Sequence, residues 1–217
     1  MGIEAIQAEG VVGTLDHVES GRHPLSLDQY KHLLISQGAL PSRTEAARAR
    51  KLYGANTGAG TAKAPVAAPP TTAAAWALYN GYGDPYHLVV FDLYATSISG
   101  TLGLGMSLIA GLPGTKQAAA ETAYASSVHE ALTPGSPSPQ AVFAGAVTLE
   151  SAPVWTTVAA RDQVSAISVG SGLVANVDGM FIVPPGYALG LSVLAPAGTT
   201  ALFQGGFVYG VFALKLG

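Results

Sequence analysis

Apolar residues concentrate near the C-terminus in two runs, Tyr187 to Leu194 and Leu202 to Leu214, separated by Pro196-Ala197-Gly198-Thr199-Thr200. A Pro-Pro-Gly corner at Pro184 to Gly186 precedes the first run. Two such runs with a short Gly-containing connection predict an antiparallel strand pair. The second run has no polar parity: Phe203, Phe207, Tyr209 and Val211 lie on one side, and Val208, Phe212 and Leu214 on the other. A strand with one wet face alternates apolar with polar, so this pattern predicts cover on both sides. One cover is the core of the domain. The other is expected to be a second subunit, which makes Val208, Phe212 and Leu214 the expected oligomer interface.

From Trp76 onward the chain reads as strands separated by turn chemistry. The expected strands are 76–80, 88–98, 104–112, 123–131, 141–150, 154–159, 164–169 and 180–183, followed by the closing pair. In the second of these, Val89, Phe91 and Leu93 oppose Asp92, Tyr94 and Thr96 in parity, which predicts one inward and one partly wet face. Segment 116–131 is rich in Ala and also suits a helix, but its flanks favour a strand or a loop crossing. Eight or more short strands predict a mainly β chain folded as an antiparallel β-sandwich, specifically a jelly roll.

The first 75 residues differ. Ser26-Leu27-Asp28-Gln29 and Ser42-Arg43-Thr44-Glu45 both have the form of a capping box. They predict two short helices within 27–53, the first carrying Tyr30 and Leu33, the second running to Gly54 through Arg48, Arg50 and Lys51. Residues 54–75 are dominated by Ala, Gly, Pro and Thr, too small to bury much apolar surface, so a flexible linker is expected there. The expected division is therefore an arm over 1–75 and a β body over 76–217.

Composition sharpens this picture. Charged residues make up 11% of the 217 positions and hydrophobic residues 49%, whereas soluble domains carry roughly 25% charged residues. Much of the surface is therefore expected to be hidden in an assembly. A membrane partner is not expected, because no apolar run reaches the ~20 residues of a spanning helix. Cysteine is absent, which removes disulfides and thiolate chemistry. From Trp76 on, three basic residues face seven acidic ones. The four bases Arg43, Arg48, Arg50 and Lys51 invite a helix-turn-helix reading, but two short helices without a third make a poor nucleic-acid module, and a solvated or partner-facing helix face is preferred.

No stretch spells out a reaction centre. His17, His23, His32, His87 and His129 lack zinc-ligand spacing, so no metal or cofactor is expected. Gly170-Ser171-Gly172 is not a nucleophile elbow, Gly103-Leu104-Gly105 lacks the third glycine of a dinucleotide loop, and Gly58 to Lys63 fails phosphate-loop spacing. Asp84, Asp92, Glu150 and Asp178 could form a glycosidase pair only through the fold. Trp76, Tyr79, Tyr82, Tyr86 and Trp155 could form a sugar-stacking platform, with core and interface packing as the preferred reading.

Ala77-Leu78-Tyr79-Asn80-Gly81 leading into the strand from Leu88 to Tyr94, and Val183-Pro184-Pro185-Gly186 followed by a strand, a Gly-Thr-Thr turn and a terminal strand, resemble the jelly-roll bodies of head decoration (cement) proteins of tailed bacteriophages. The resemblance covers about the last two thirds of the chain. It implies a non-enzymatic virion protein made in the host cytoplasm and placed on the outer capsid as a homo-oligomer, a trimer. It also implies an arm reaching neighbouring subunits; the helical hairpin at 27–53 has no counterpart in that pattern, and the expectation for it is that Tyr30, Leu33, Arg43, Arg48, Arg50 and Lys51 contact the major capsid protein. The alternative is a tail or receptor module that binds carbohydrate; a glycan hydrolase is the third class.

Overall fold

In the computed structural model, residues 42–56, 62–101, 105–117, 128–131, 141–162 and 170–214 are described. All of them belong to one unit of the chain, Pro41–Gly217, with Met1–Leu40 forming the other. Their order is helix α1 (Ser42–Arg48), then strands β1 (Leu52–Asn56), β2 (Ala73–Asn80), β3 (Tyr86–Ser99), β4 (Met106–Gly111) and β5 (Val128–Ala131). These are followed by β6 (Ala141–Thr148), β7 (Thr156–Arg161), β8 (Gly172–Val183), β9 (Ala188–Leu194) and β10 (Leu202–Ala213).

The strands form two five-stranded antiparallel sheets, ordered β5-β1-β10-β3-β8 and β6-β2-β9-β4-β7. The chain is mainly β and a sandwich, as its strand pattern predicts. Alternation along the strands fills the space between the sheets: Tyr53, Ala55, Leu88, Val90, Phe203, Phe207 and Tyr209 from the first sheet meet Trp76, Leu78, Leu108, Phe143, Leu189 and Leu191 from the second. Phe143 and Phe207 touch edge to face across the core, with centroids 5.5 Å apart. Trp76 is fully buried and lies flat on Gly205, where a Cβ would come within 2.6 Å of the ring. Only glycine leaves room for that aromatic thickness.

Several expectations are corrected. The two closing runs are not a hydrogen-bonded pair, because β9 belongs to the second sheet and β10 to the first. The link Pro196 to Thr200, with Gly198 at φ +87°, carries the chain from one layer to the other. The boundary between arm and body is also displaced. β1, expected as the end of a helix and the start of a linker, is an internal strand paired with both β10 and β5.

Residues 62–72 are a bonded strap that leads into β2. Lys63 and Phe203 exchange both backbone hydrogen bonds at 2.8 Å, Val66 N–H donates to Val193 and Val66 C=O accepts from Ala195, and Thr72 C=O accepts from Leu149. Backbone pairing holds this segment where its small side chains offer little burial. The expected strand 164–169 and the first expected helix lie outside the described residues.

Two local devices escaped the periodicity. Helix α1 ends earlier than expected: Arg50 N–H donates to Ala47 C=O, Lys51 N–H donates to Ala46 C=O, and Arg50 adopts φ +57°. That is a Schellman stop with arginine in the left-handed position usually held by glycine. In β3 the partners on both sides skip Phe91: Val90 pairs with Phe181 and Tyr209, and Asp92 with Asn176 and Val208. This bulge puts Phe91 and Asp92 together on the outer side and returns Leu93 to the core, against the simple alternation. β8 is longer than the expected 180–183, because Gly172 to Asn176 pairs regularly with β3 before Val177 to Met180 loop out opposite Phe91.

Candidate functional site

The outer face of the first sheet carries Val208, Phe212 and Leu214, the expected oligomer interface, and part of its cover is internal. Val208, Phe212 and Leu214 are half-buried against a second apolar cluster of Ala46, Leu52, Val89 and Phe91. Ala46 is a residue of α1 and is itself fully buried. The second cover of β10 is thus this chain's own helix, at least in part. The lack of a polar parity does not by itself require another subunit.

Glycine makes the seat for that helix. A Cβ on Gly210 would stand 3.0 Å from Ala46 Cβ, 3.0 Å from a Phe91 ring carbon and 2.7 Å from a Phe212 ring carbon. The Phe91 and Phe212 rings meet edge to face at 6.3 Å. Arg43, on the same helix, donates to Asp92 at 2.8 Å, with side-chain exposures of 42% and 13%. The bulge at Phe91 is what brings Asp92 to this side. Two residues further along β3, Tyr94 lies over Gly206, where a Cβ would meet its hydroxyl. Burial pushes the Tyr94 phenol above its ordinary value, and its hydrogen bond with the Asn56 side chain pulls the other way.

The other basic residues of the arm do not share one visible patch. Lys51 is exposed and its Nζ sits 5.9 Å from the centroid of the Tyr86 ring, while Arg50 is exposed at the helix stop. Arg48 falls within α1, and its side chain is outside the described residues, as are Tyr30 and Leu33.

The aromatic platform is not assembled. Trp76 is in the core, Tyr79 packs on the outer side of the second sheet with Trp155, and Tyr82 and Tyr86 pair at the β2–β3 end with centroids 6.0 Å apart. Tyr53 connects that end to the interior by stacking on Tyr209 at 5.7 Å, and burial followed by the neighbouring Tyr82 pushes its phenol upward.

The remaining polar candidates have structural employment. Asn80 is fully buried and ties three strands: its side-chain amide donates to Tyr86 C=O at 3.0 Å and Val183 C=O at 2.8 Å, and its side-chain oxygen accepts from Tyr82 N–H. The sequence marks Asn80-Gly81 as the end of a strand, but not that the Asn80 side chain ties the neighbouring strands together. Gln117 plays a similar part, donating to Thr148 C=O and accepting from Glu150 N–H. His87 is buried, with Nδ1 2.8 Å from Pro85 C=O. Of the four carboxylates, Asp84 lies in the β2–β3 turn, Asp92 on the outer face of β3, Glu150 after β6 and Asp178 in the excursion of β8.

A shallow groove of about 580 Å³ runs between the start of β4 and the ends of β7 and β9, lined by Ser107, Arg161, Asp162 and Pro196 among others. Among the described residues no three His, Asp or Glu side chains gather as a metal site, and no helix is long and apolar enough to cross a membrane. No protein-family model, curated protein or solved structure matches this chain.

Proposed function

We propose that this chain is a non-enzymatic structural protein of a virion, a jelly-roll decoration protein of the outer capsid that works as a homo-oligomer, a trimer, and engages the major capsid protein through its N-terminal region. The observation that carries this reading is the strand order. With β5 and β6 set aside as additions at one side, the sheets run β1-β10-β3-β8 and β2-β9-β4-β7. Successive strands alternate between layers except at β4 and β7, which pair within the second sheet, and the last strand returns beside the first; this order supports a jelly-roll reading. The 11% charge content supports assembly, since a surface with few charges gains by being covered.

Val208, Phe212 and Leu214 remain half-exposed beside α1, so in this reading they form the rim of a subunit contact together with the helix. Arg50 and Lys51, exposed just after α1, are the basic groups available to a capsid partner. Light scattering on the purified full chain should give three times the monomer mass, and adding it to capsids that lack it should raise their thermal disruption temperature. A monomer that leaves capsid stability unchanged overturns the reading.

A further inference from the structure

We infer that the free edge of β8 is a self-pairing surface, at which a second copy of this chain adds its own β8 antiparallel to the first. Among the described strands β8 ends the first sheet. The hydrogen-bond phase of its pairing with β3 shows which groups face outward. Ser97 N–H donates to Ser171 C=O at 2.8 Å, and the pairing continues without a shift from Thr96↔Gly172 to Asp92↔Asn176. Bonded and non-bonded pairs alternate in an antiparallel ladder. Leu173 and Ala175 therefore bond to β3, and Gly172, Val174 and Asn176 direct their N–H and C=O groups away from it, to the open side.

Edges of natural sheets are usually blunted by lysine, proline or an inward charge. The run Gly172-Leu173-Val174-Ala175-Asn176 has none of these, and Val174 is 72% exposed on the outer face beside Tyr94. The run is bounded on both sides. Gly170 turns at φ +100°, and Val177 to Met180 leave the ladder with Asp178 and Gly179 at φ +34° and +87°.

The occupant follows from this geometry. Antiparallel pairing about a two-fold axis at Val174 sets Val174 against Val174 of the second copy and Gly172 against its Asn176. All three outward residues then meet outward residues, and any shift along the strand loses a pair. Asp178, the one charged residue of β8, falls opposite Gly170 of the second copy, so the two acids stay apart. The open edge is thus complementary to itself in bond phase, in side chain and in charge.

A five-residue contact spans about 17 Å and is far smaller than the roughly 800 Å² per partner of a standard interface. Association should therefore be weak, on the order of 100 µM. A two-fold contact cannot build a trimer, so this surface is additional to the oligomer proposed above, and its readout is a rise in mass, at least a doubling, above whatever unit the dilute protein forms. That separates the two ideas: a monomer at low concentration removes the trimer, and loss of the doubling removes the β8 contact.

Sedimentation equilibrium of the full chain from about 10 µM to about 1 mM should show the mass doubling. Over the same range, hydrogen exchange at the Val174 and Asn176 amides should slow by about fourfold, the drop in the unpaired fraction at that affinity, while Leu173 and Ala175, already bonded to β3, stay unchanged. Val174→Pro, which deletes an outward N–H, and Val174→Lys, which faces two like charges, should each abolish the doubling and keep the dilute unit and its folding intact. Overturning results are a constant mass up to about 1 mM, a doubling that survives Val174→Lys, or protection of Val174 and Asn176 that appears only when an unrelated protein is added.

Discussion

The two sheets cover their outer faces by different means. On the second sheet the cover is irregular chain and large side chains: Leu149 and Trp155 lie over Gly190, where a Cβ would stand 2.9 and 3.0 Å from them, and Pro153 sits on Gly111. Trp155 donates its indole N–H to Pro70 C=O at 2.6 Å, so two distant loops are joined above the sheet. On the first sheet the cover is a seven-residue helix whose buried contact is alanine on glycine, fastened by a half-exposed ion pair. Both faces use glycine as the seat. They differ in how much apolar surface the cover removes from water, and hence in how firmly it is held.

Trp155→Ala should show the largest effect. It removes the side chain that roofs Gly190 and leaves Pro70 C=O without its donor. A loss of about 2–3 kcal/mol is expected, below the full range for a completely buried Trp because Trp155 is half-buried. Urea unfolding monitored by far-UV circular dichroism measures it. A loss below that of the first-sheet variants would reverse the order of the two covers.

Gly210→Val comes next. Valine suits an internal strand, but its branches would stand where Ala46, Phe91 and Phe212 already pack. A helix of seven residues has no stability of its own and yields rather than the sheet. The expected loss is about 1–2 kcal/mol, with hydrogen exchange of the Arg50 and Lys51 amides accelerated and the amides of β9 unchanged. Equal acceleration in both sheets would mean that α1 is integral to the sandwich.

How far these covers can be read from sequence differs in the same way. The core side of β10 is legible, since Phe203, Phe207, Tyr209 and Val211 recur at period two and all are buried. The outer side shows that something covers it without showing what, because Ala46 and Gly210 are too small to register in a hydrophobic pattern. The strap 62–72 is hidden for a related reason: its attachment is by backbone, and Ala-Pro-Val-Ala-Ala-Pro-Pro looks like a linker whether or not a sheet edge is beside it. β1 is hidden because Lys51-Leu52-Tyr53 continues a helical run, and the stop is made by Arg50 in a conformation that sequence associates with glycine. The bulge at Phe91 is a ladder property, visible only once both neighbours of β3 are known. Hence the face that carries Asp92 could not be assigned in advance, and with it the anchor of the helix.

Alkaline titration separates the faces without a mutation in either seat. Burial raises the phenol of Tyr94, on the outer face of the first sheet over Gly206, and that of Tyr53, in the core. A group raised on folding stabilises the native state fully below its unfolded value of 10.0, and that contribution fades as pH climbs through the folded value. The urea midpoint should be flat from about pH 7 to 9 and fall above about pH 10. Tyr94→Phe should fall less steeply than the unaltered chain. An identical decline in both would remove Tyr94 from the alkaline transition.

The smallest expected effect is that of the ion pair. Arg43 is 42% exposed and Asp92 13% exposed, so water screens the pair from one side, and Arg43→Ala should lower stability by about 0.5–1 kcal/mol. Part of that loss would come from leaving the Asp92 carboxylate without a donor on a mostly covered surface. Asp92→Asn in the Arg43→Ala background tests this, because an uncharged amide tolerates the same site; the double variant should recover part of the loss. Salt gives a second reading: at about 1 M the Debye length shrinks to about 3 Å, and the difference between Arg43→Ala and the unaltered chain should narrow. If Arg43→Ala instead removes as much stability as Trp155→Ala at any ionic strength, the pair holds the helix as firmly as the tryptophan holds its loops, and the contrast between the two covers is lost.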